Sequence, residues 1–152
     1  MGKRALRIVR DKAGMAAVEF AVVLPILCLV CFGIADGWSY VTSYLHMRAG
    51  VKTAANLVMA GAGSDAAKDP GTQAVALSSW NNRPDDGTVA LTRSFMCGST
   101  VVADDKTLCV GTTKLPSIFV QITATGTWVP PFNFGVFPDP RAMRHQQVIR
   151  VR

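Results

Sequence analysis

Histidine is scarce in this chain of 152 residues, at two, and acids are few, at 10 against 16 lysines and arginines. His46 and His145 stand in contexts that name neither a nucleophile nor a metal partner. Asp85-Asp86 and Asp104-Asp105 are paired carboxylates in turn-rich segments, and a calcium site needs more oxygen ligands at defined spacing. Gly61-Ala62-Gly63 follows no strand, and Gly111-Thr112-Thr113-Lys114 lacks the upstream glycine, so neither reads as a phosphate loop. Repeats and low-complexity tracts are absent. Beyond residue 13 no basic stripe alternates with aromatics, which argues against nucleic acid as a partner. The chain reads as a non-enzyme with no cofactor.

What is present is one long apolar run. Met15 to Ala35 is 21 residues, with Glu19 as its sole charged side chain. A helix of that length rises about 31 Å, which matches a hydrocarbon core of about 30 Å. A bare carboxylate is costly there, so Glu19 is a functional candidate. Before the run stand Lys3, Arg4, Arg7, Arg10 and Lys12 against Asp11, which supply +4 of the net +6. By the positive-inside rule the N-terminus is cytoplasmic and residue 36 onward lies outside. The lipid bilayer is thus the first partner. The chain divides into a basic leader (1–14), a transmembrane and stalk helix (15–61) and an exported α+β domain (62–152).

The four cysteines form two unlike pairs. Cys28 and Cys31 have C-x-x-C spacing, but no histidine or further cysteine is near, so they read as small apolar helix residues. Cys97 and Cys109 flank a polar loop; on the exported side such a pair is expected to form a disulfide, the alternative being two free thiols.

Ile34, Trp38, Val41, Leu45, Val51, Ala55 and Val58 extend a helical stripe beyond the bilayer, predicting one helix from Met15 to Ala60 with a stop at Gly61-Ala62-Gly63. Its outer stripe should be covered by the exported domain. Pro25 should bend it. Gly33 and Gly37 make a G-x-x-x-G that Asp36 weakens, and Trp38, Tyr40 and Tyr44 suit a membrane–water boundary. Asp69-Pro70 opens a second helix with Ala74, Leu77 and Ser78 on its apolar face. Asn81 to Gly87 is a turn cluster. Strands are expected at Thr88–Phe95, Ser117–Trp128 and Val148–Arg152. Val129 to Phe137, with Phe132, Phe134 and Phe137, reads as an irregular apolar loop that either covers the sheet or contacts a partner. The fold class is α+β: a long N-terminal helix packed on a small, mostly antiparallel sheet of about three strands.

A basic leader followed by G-x-x-x-x-E-F at the head of an apolar helix resembles the type IV pilin-like superfamily. Gly14 to Pro25, with Phe32-Gly33-Ile34-Ala35-Asp36-Gly37, resembles more specifically the TadE-like minor pseudopilins of the tight-adherence (Flp) pilus. The likeness is specific over about 25 residues; beyond Trp38 it is architectural. It implies cleavage by a prepilin peptidase between Gly14 and Met15, with Glu19 paired to the freed amine of Met15 on its own or a neighbouring subunit. Phe20 would be a recognition residue or a lipid-facing one. Implied partners are the peptidase, inner-membrane platform proteins, the major pilin and another minor pilin. The implied location is the bacterial inner membrane, single-pass, with a periplasmic C-terminal domain that becomes extracellular in a pilus.

Two rival readings use the same segment. Gly33-Ile34-Ala35 offers small residues for a signal peptidase, giving a soluble periplasmic domain from Asp36, although an ordinary signal core is shorter and uncharged. An uncleaved single-pass anchor holding an exported binding domain is the other.

Overall fold

A computed structural model describes residues 12–132 and 140–151. The leader as far as Asp11, with Phe134 and Phe137 of the expected loop, lies outside the described residues.

Helix α1 runs without a break from Lys12 to Leu57, with Pro25 inside it. Residues 14–31 are exposed all round. From Asp36 upward one face closes, and Met47, Val51, Ala54, Ala55 and Val58 are fully buried. The expected stripe therefore splits. Val51, Ala55 and Val58 enter the core, whereas Ile34, Trp38, Val41 and Leu45 point outward, Trp38 being 70% exposed. Two adjacent faces of the middle helix are apolar, and periodicity alone cannot choose between them. Contacts to the sheet choose: Tyr40 packs edge-on against Trp128 at 5.3 Å, and Tyr44 shares a 3.3 Å hydrogen bond with His145.

The helix ends through a π-type turn, Val58–Ala62, in which Gly61 adopts φ +114°, a region that favours glycine. A short 3-10 turn (Ala66–Lys68) leads into helix α2, Asp69–Ser78, with Pro70 in its first turn. Its buried residues are Thr72 and Ala76; Ala74 and Ser78 are exposed, contrary to the expected face, and Leu77 is half-buried. The rotation follows from close approach to α1. A Cβ on Gly50 would lie 2.7 Å from the Ala76 carbonyl oxygen, so the helices meet where Gly50 has no side chain.

The sheet has four strands rather than three, all antiparallel, in the order β2-β1-β3-β4. Strand β1 is Thr88–Cys97, β2 Thr100–Val102, β3 Ser117–Trp128 and β4 Arg141–Arg150. β3 forms as its alternation predicts: Ile118, Val120, Ile122, Ala124 and Trp128 are buried toward the helix layer. β2 is only three residues of edge strand inside the Cys97–Cys109 loop. β4 extends well before the expected Val148–Arg152. Its inner face carries only Met143 and Ile149 as buried apolar residues, with half-buried His145 and Gln147 between them, so its first half shows no apolar alternation.

Arg93 on β1 joins the helix layer to the sheet. Its Nε donates to the Gly63 carbonyl at 3.1 Å, and Nη2 reaches the carbonyls of Ala62 (3.3 Å) and Asp65 (3.2 Å) and Asp69 Oδ1 (2.6 Å), while Nη1 is ion-paired with Asp69 Oδ2. A cation thus meets the orphan carbonyls beyond α1, and the carboxylate it holds lies at the start of α2, where helix dipoles favour each sign. Both side chains are mostly buried, at 12% and 18% exposure. Arg93→Ala would strand Asp69 and those carbonyls, and should lower stability by about 3 kcal/mol in urea unfolding. Arg93→Lys should recover only a fraction of it, because an ammonium cannot reproduce the guanidinium fork.

Candidate functional site

The lower end of α1 holds the residues that the sequence singles out. Gly14 and Met15 lie in its first turns, Glu19 one turn above Met15, and Phe20 beside it; all four are exposed. Positions i and i+4 share a helix face about 6 Å apart. Glu19 is the sole glutamate of the chain, and it makes no side-chain hydrogen bond or ion pair among the described residues. Around it Val18, Val22, Val23 and Ile26 are open apolar side chains. The helix is long and apolar enough to cross a membrane over Gly14–Ala62, and none of its most apolar window is buried in the protein.

A second constellation lies where the exposed and packed halves of α1 meet. Asp36 is 2% exposed, and its Oδ1 accepts the Phe132 backbone N–H at 3.1 Å. One turn lower, Phe32 packs on Phe132 with ring centroids 5.2 Å apart. One turn higher, Trp128 Nε1 donates to Ser39 Oγ at 3.2 Å. In the sequence Asp36 reads as an interruption of G-x-x-x-G and as part of the Phe32–Gly37 likeness, with no partner named. Its partner is a backbone amide 96 positions away, which no local pattern discloses.

Beside this contact is a cleft of about 490 Å³ lined by Ser39, Ser43, Asp85, Asp86, Thr127 and Trp128 among others. Hydrogen bonds from the Thr127 side chain and its backbone N–H hold the Asp86 carboxyl below its ordinary range. Asp86 thereby ties the turn before β1 to the end of β3, through Thr127 N–H at 3.0 Å. The second acidic pair also serves a turn. Asp104 accepts from the N–H groups of Thr107 (2.8 Å) and Lys106 (2.9 Å), which lower its pKa. No group of three or more metal-ligating side chains occurs among the described residues. His46 Nδ1 is buried without a partner in α1, and His145 is committed to Tyr44.

Cys97 and Cys109 form a disulfide with Cα atoms 5.6 Å apart, and Cys28 and Cys31 are free and exposed on the apolar half of α1. The bridge closes the loop that contains β2.

A long apolar helix, open below and packed above on an antiparallel sheet, defines an α+β protein whose lower helix is consistent with a single membrane anchor. Residues 14–56 match the family model described as TadE-like protein. That stretch begins at Gly14 and takes in all of α1 except Lys12, Ala13 and Leu57; over it the chain is TadE-like. Comparison with curated proteins and with solved structures finds no match.

Two outcomes follow from this geometry. Replacing Cys97 and Cys109 by alanine should lower stability by about 3 kcal/mol in the chain-entropy account of a loop this short, read as an earlier midpoint in urea. For His145, burial first and then the Arg48 charge hold the imidazole below its ordinary pKa. The unfolded chain therefore binds this proton more readily than the folded one. Its contribution is nil above about pH 7 and destabilising as pH falls through about 6.5. The loss of stability between about pH 7.5 and 5.5 should shrink in His145→Gln, measured by urea midpoints at both values.

Proposed function

We propose that this protein is a minor pseudopilin that takes part in assembly of a tight-adherence pilus. It sits once in the bacterial inner membrane, N-terminus cytoplasmic and residues 62–152 periplasmic. A prepilin peptidase removes residues 1–14 by cutting between Gly14 and Met15. The observation that carries this reading is the family match opening on Gly14, where the basic leader gives way to the open apolar helix.

Magnitudes favour insertion with Glu19 in place. Withdrawing a valine, leucine, isoleucine or phenylalanine side chain from water contributes about 1.5–3 kcal/mol. Val18, Phe20, Val22, Val23, Leu24, Ile26, Leu27, Leu29 and Val30 are all exposed. One carboxylate costs about 3 kcal/mol on insertion scales, a fraction of that gain. Glu19 is therefore dispensable for insertion, and its use lies elsewhere. Cleavage exposes the Met15 amine, a cation within the same apolar medium. Pairing Glu19 with that amine, on its own or an adjacent subunit, removes an uncompensated charge and sets one helix in register against the next. Phe20, open beside it, supplies a surface for the peptidase or for a neighbouring helix. The partners are the peptidase, platform proteins of the inner membrane, the major pilin and another minor pilin. A signal-peptidase cut after Ala35 is disfavoured, since it would sever α1 between Phe32 and Asp36, which both hold Phe132.

N-terminal sequencing of protein from cells with an active prepilin peptidase should read from Met15. A chain that retains Met1, or one that begins at Asp36, overturns the processing step. Glu19→Ala should partition into membranes as the parent does while pilus formation is lost; normal pili from this variant would remove the register role.

A further inference from the structure

After β3 the chain runs down the side of α1 instead of away from it. Trp128 is fixed to Ser39, Pro130 is buried, and Phe132 reaches Phe32 and Asp36. Phe32 lies three residues before Ala35, so at 1.5 Å per residue the Phe132 contact sits about 4.5 Å below the last residue of the apolar run. The segment thus reaches the depth at which water gives way to lipid.

Its chemistry suits that depth. Val129-Pro130-Pro131-Phe132 has no charged side chain, and Val129 is 61% and Phe132 47% exposed. A backbone N–H in an apolar medium must find a partner inside the protein. Pro130 and Pro131 have none to satisfy, and that of Phe132 is taken by Asp36. The bond serves both sides: the amide is satisfied, and the carboxylate at the membrane boundary is shielded. Beside the segment, Arg141 opens β4 in register with Trp128 and is exposed, which places a cation at the level of lipid headgroups. Trp38 projects from α1 at nearly the same level. An apolar tip, an aromatic and a basic residue at one height compose a lipid-boundary surface.

We propose that Val129–Phe132 is a second membrane contact, seated at the headgroup–acyl boundary of the periplasmic leaflet of the bilayer that α1 spans. This rests on the reading of α1 as a membrane-spanning helix. The segment holds the exported domain at a fixed height on the membrane, and a subunit leaving for a fibre must withdraw two apolar elements from lipid rather than one.

The test uses the full chain with Cys28→Ser and Cys31→Ser, and a single added cysteine carrying an environment-sensitive fluorophore. The variants are Val129→Cys, Ala21→Cys within the span and Ala66→Cys beyond the end of α1. Each is reconstituted in phosphatidylethanolamine–phosphatidylglycerol vesicles containing lipids with a nitroxide at a shallow or a deep acyl position. The Val129 label should emit to the blue of the Ala66 label and be quenched more by shallow than by deep nitroxides, with the Ala21 label quenched most by deep ones. A Val129 label as red-shifted and unquenched as that at Ala66, with Ala21 still quenched, overturns the contact and leaves the spanning helix intact. A blue-shifted but unquenched Val129 label means that protein, such as a second copy of the chain, covers the segment, and also overturns it. An unquenched Ala21 label removes the spanning helix and this contact together.

Discussion

Residues 14–31 of α1 are open hydrocarbon on every side, while from Asp36 upward the same helix closes one face onto a sheet. No single solvent suits both halves. Water would leave the lower half unsatisfied at a cost of many kcal/mol, and lipid would strand the polar loops of the upper half. In the membrane-spanning reading proposed above, the change of environment falls within a turn or two, between Phe32 and Tyr40, and the Asp36–Phe132 bond lies at that point. It lets a carboxylate and a backbone amide occupy the boundary without either being left unpaired.

The upper half is built to join the rigid helix and the sheet into a single body. Tyr40 and Tyr44 engage Trp128 and His145, Gly50 admits α2, and Arg93 gathers the carbonyls released where α1 stops. These contacts come from every layer and tie the sheet to the helix along its upper length. A force applied to the lower helix would be transmitted to the sheet directly rather than through a flexible linker. Such coupling suits the proposed role in a pilus, in which the open lower helix would meet its neighbours.

Legibility tracks how local each cause is. The helix, its glycine stop, the start of α2 at Asp69-Pro70 and the whole of β3 come from short-range patterns: apolar spacing, capping chemistry and strict alternation. β2 and most of β4 are not readable, because a three-residue edge strand has no period and β4 presents Arg141, Arg144, His145, Gln146 and Gln147 where an isolated strand would show apolar residues. The face of α1 that meets the sheet is hidden for the same reason. Ile34, Trp38, Val41 and Leu45 are spaced as a core stripe, yet the neighbouring stripe makes the contacts.

The sequence by itself determined the covalent and compositional facts: a basic N-terminal stretch, one glutamate in an apolar run of membrane-spanning length, a cysteine pair around a polar loop, and hence the α+β class. These depend on hydrophobicity and on spacing along a single chain. Tertiary structure decided the pairings between distant residues: Asp36 with Phe132, Arg93 with the end of α1, Tyr44 with His145, and which side of the helix remains open. Their reason lies in three dimensions. A hydrogen-bond donor or a flat ring has many eligible partners along a chain, and only the packing of α1 against the sheet brings one of them within reach.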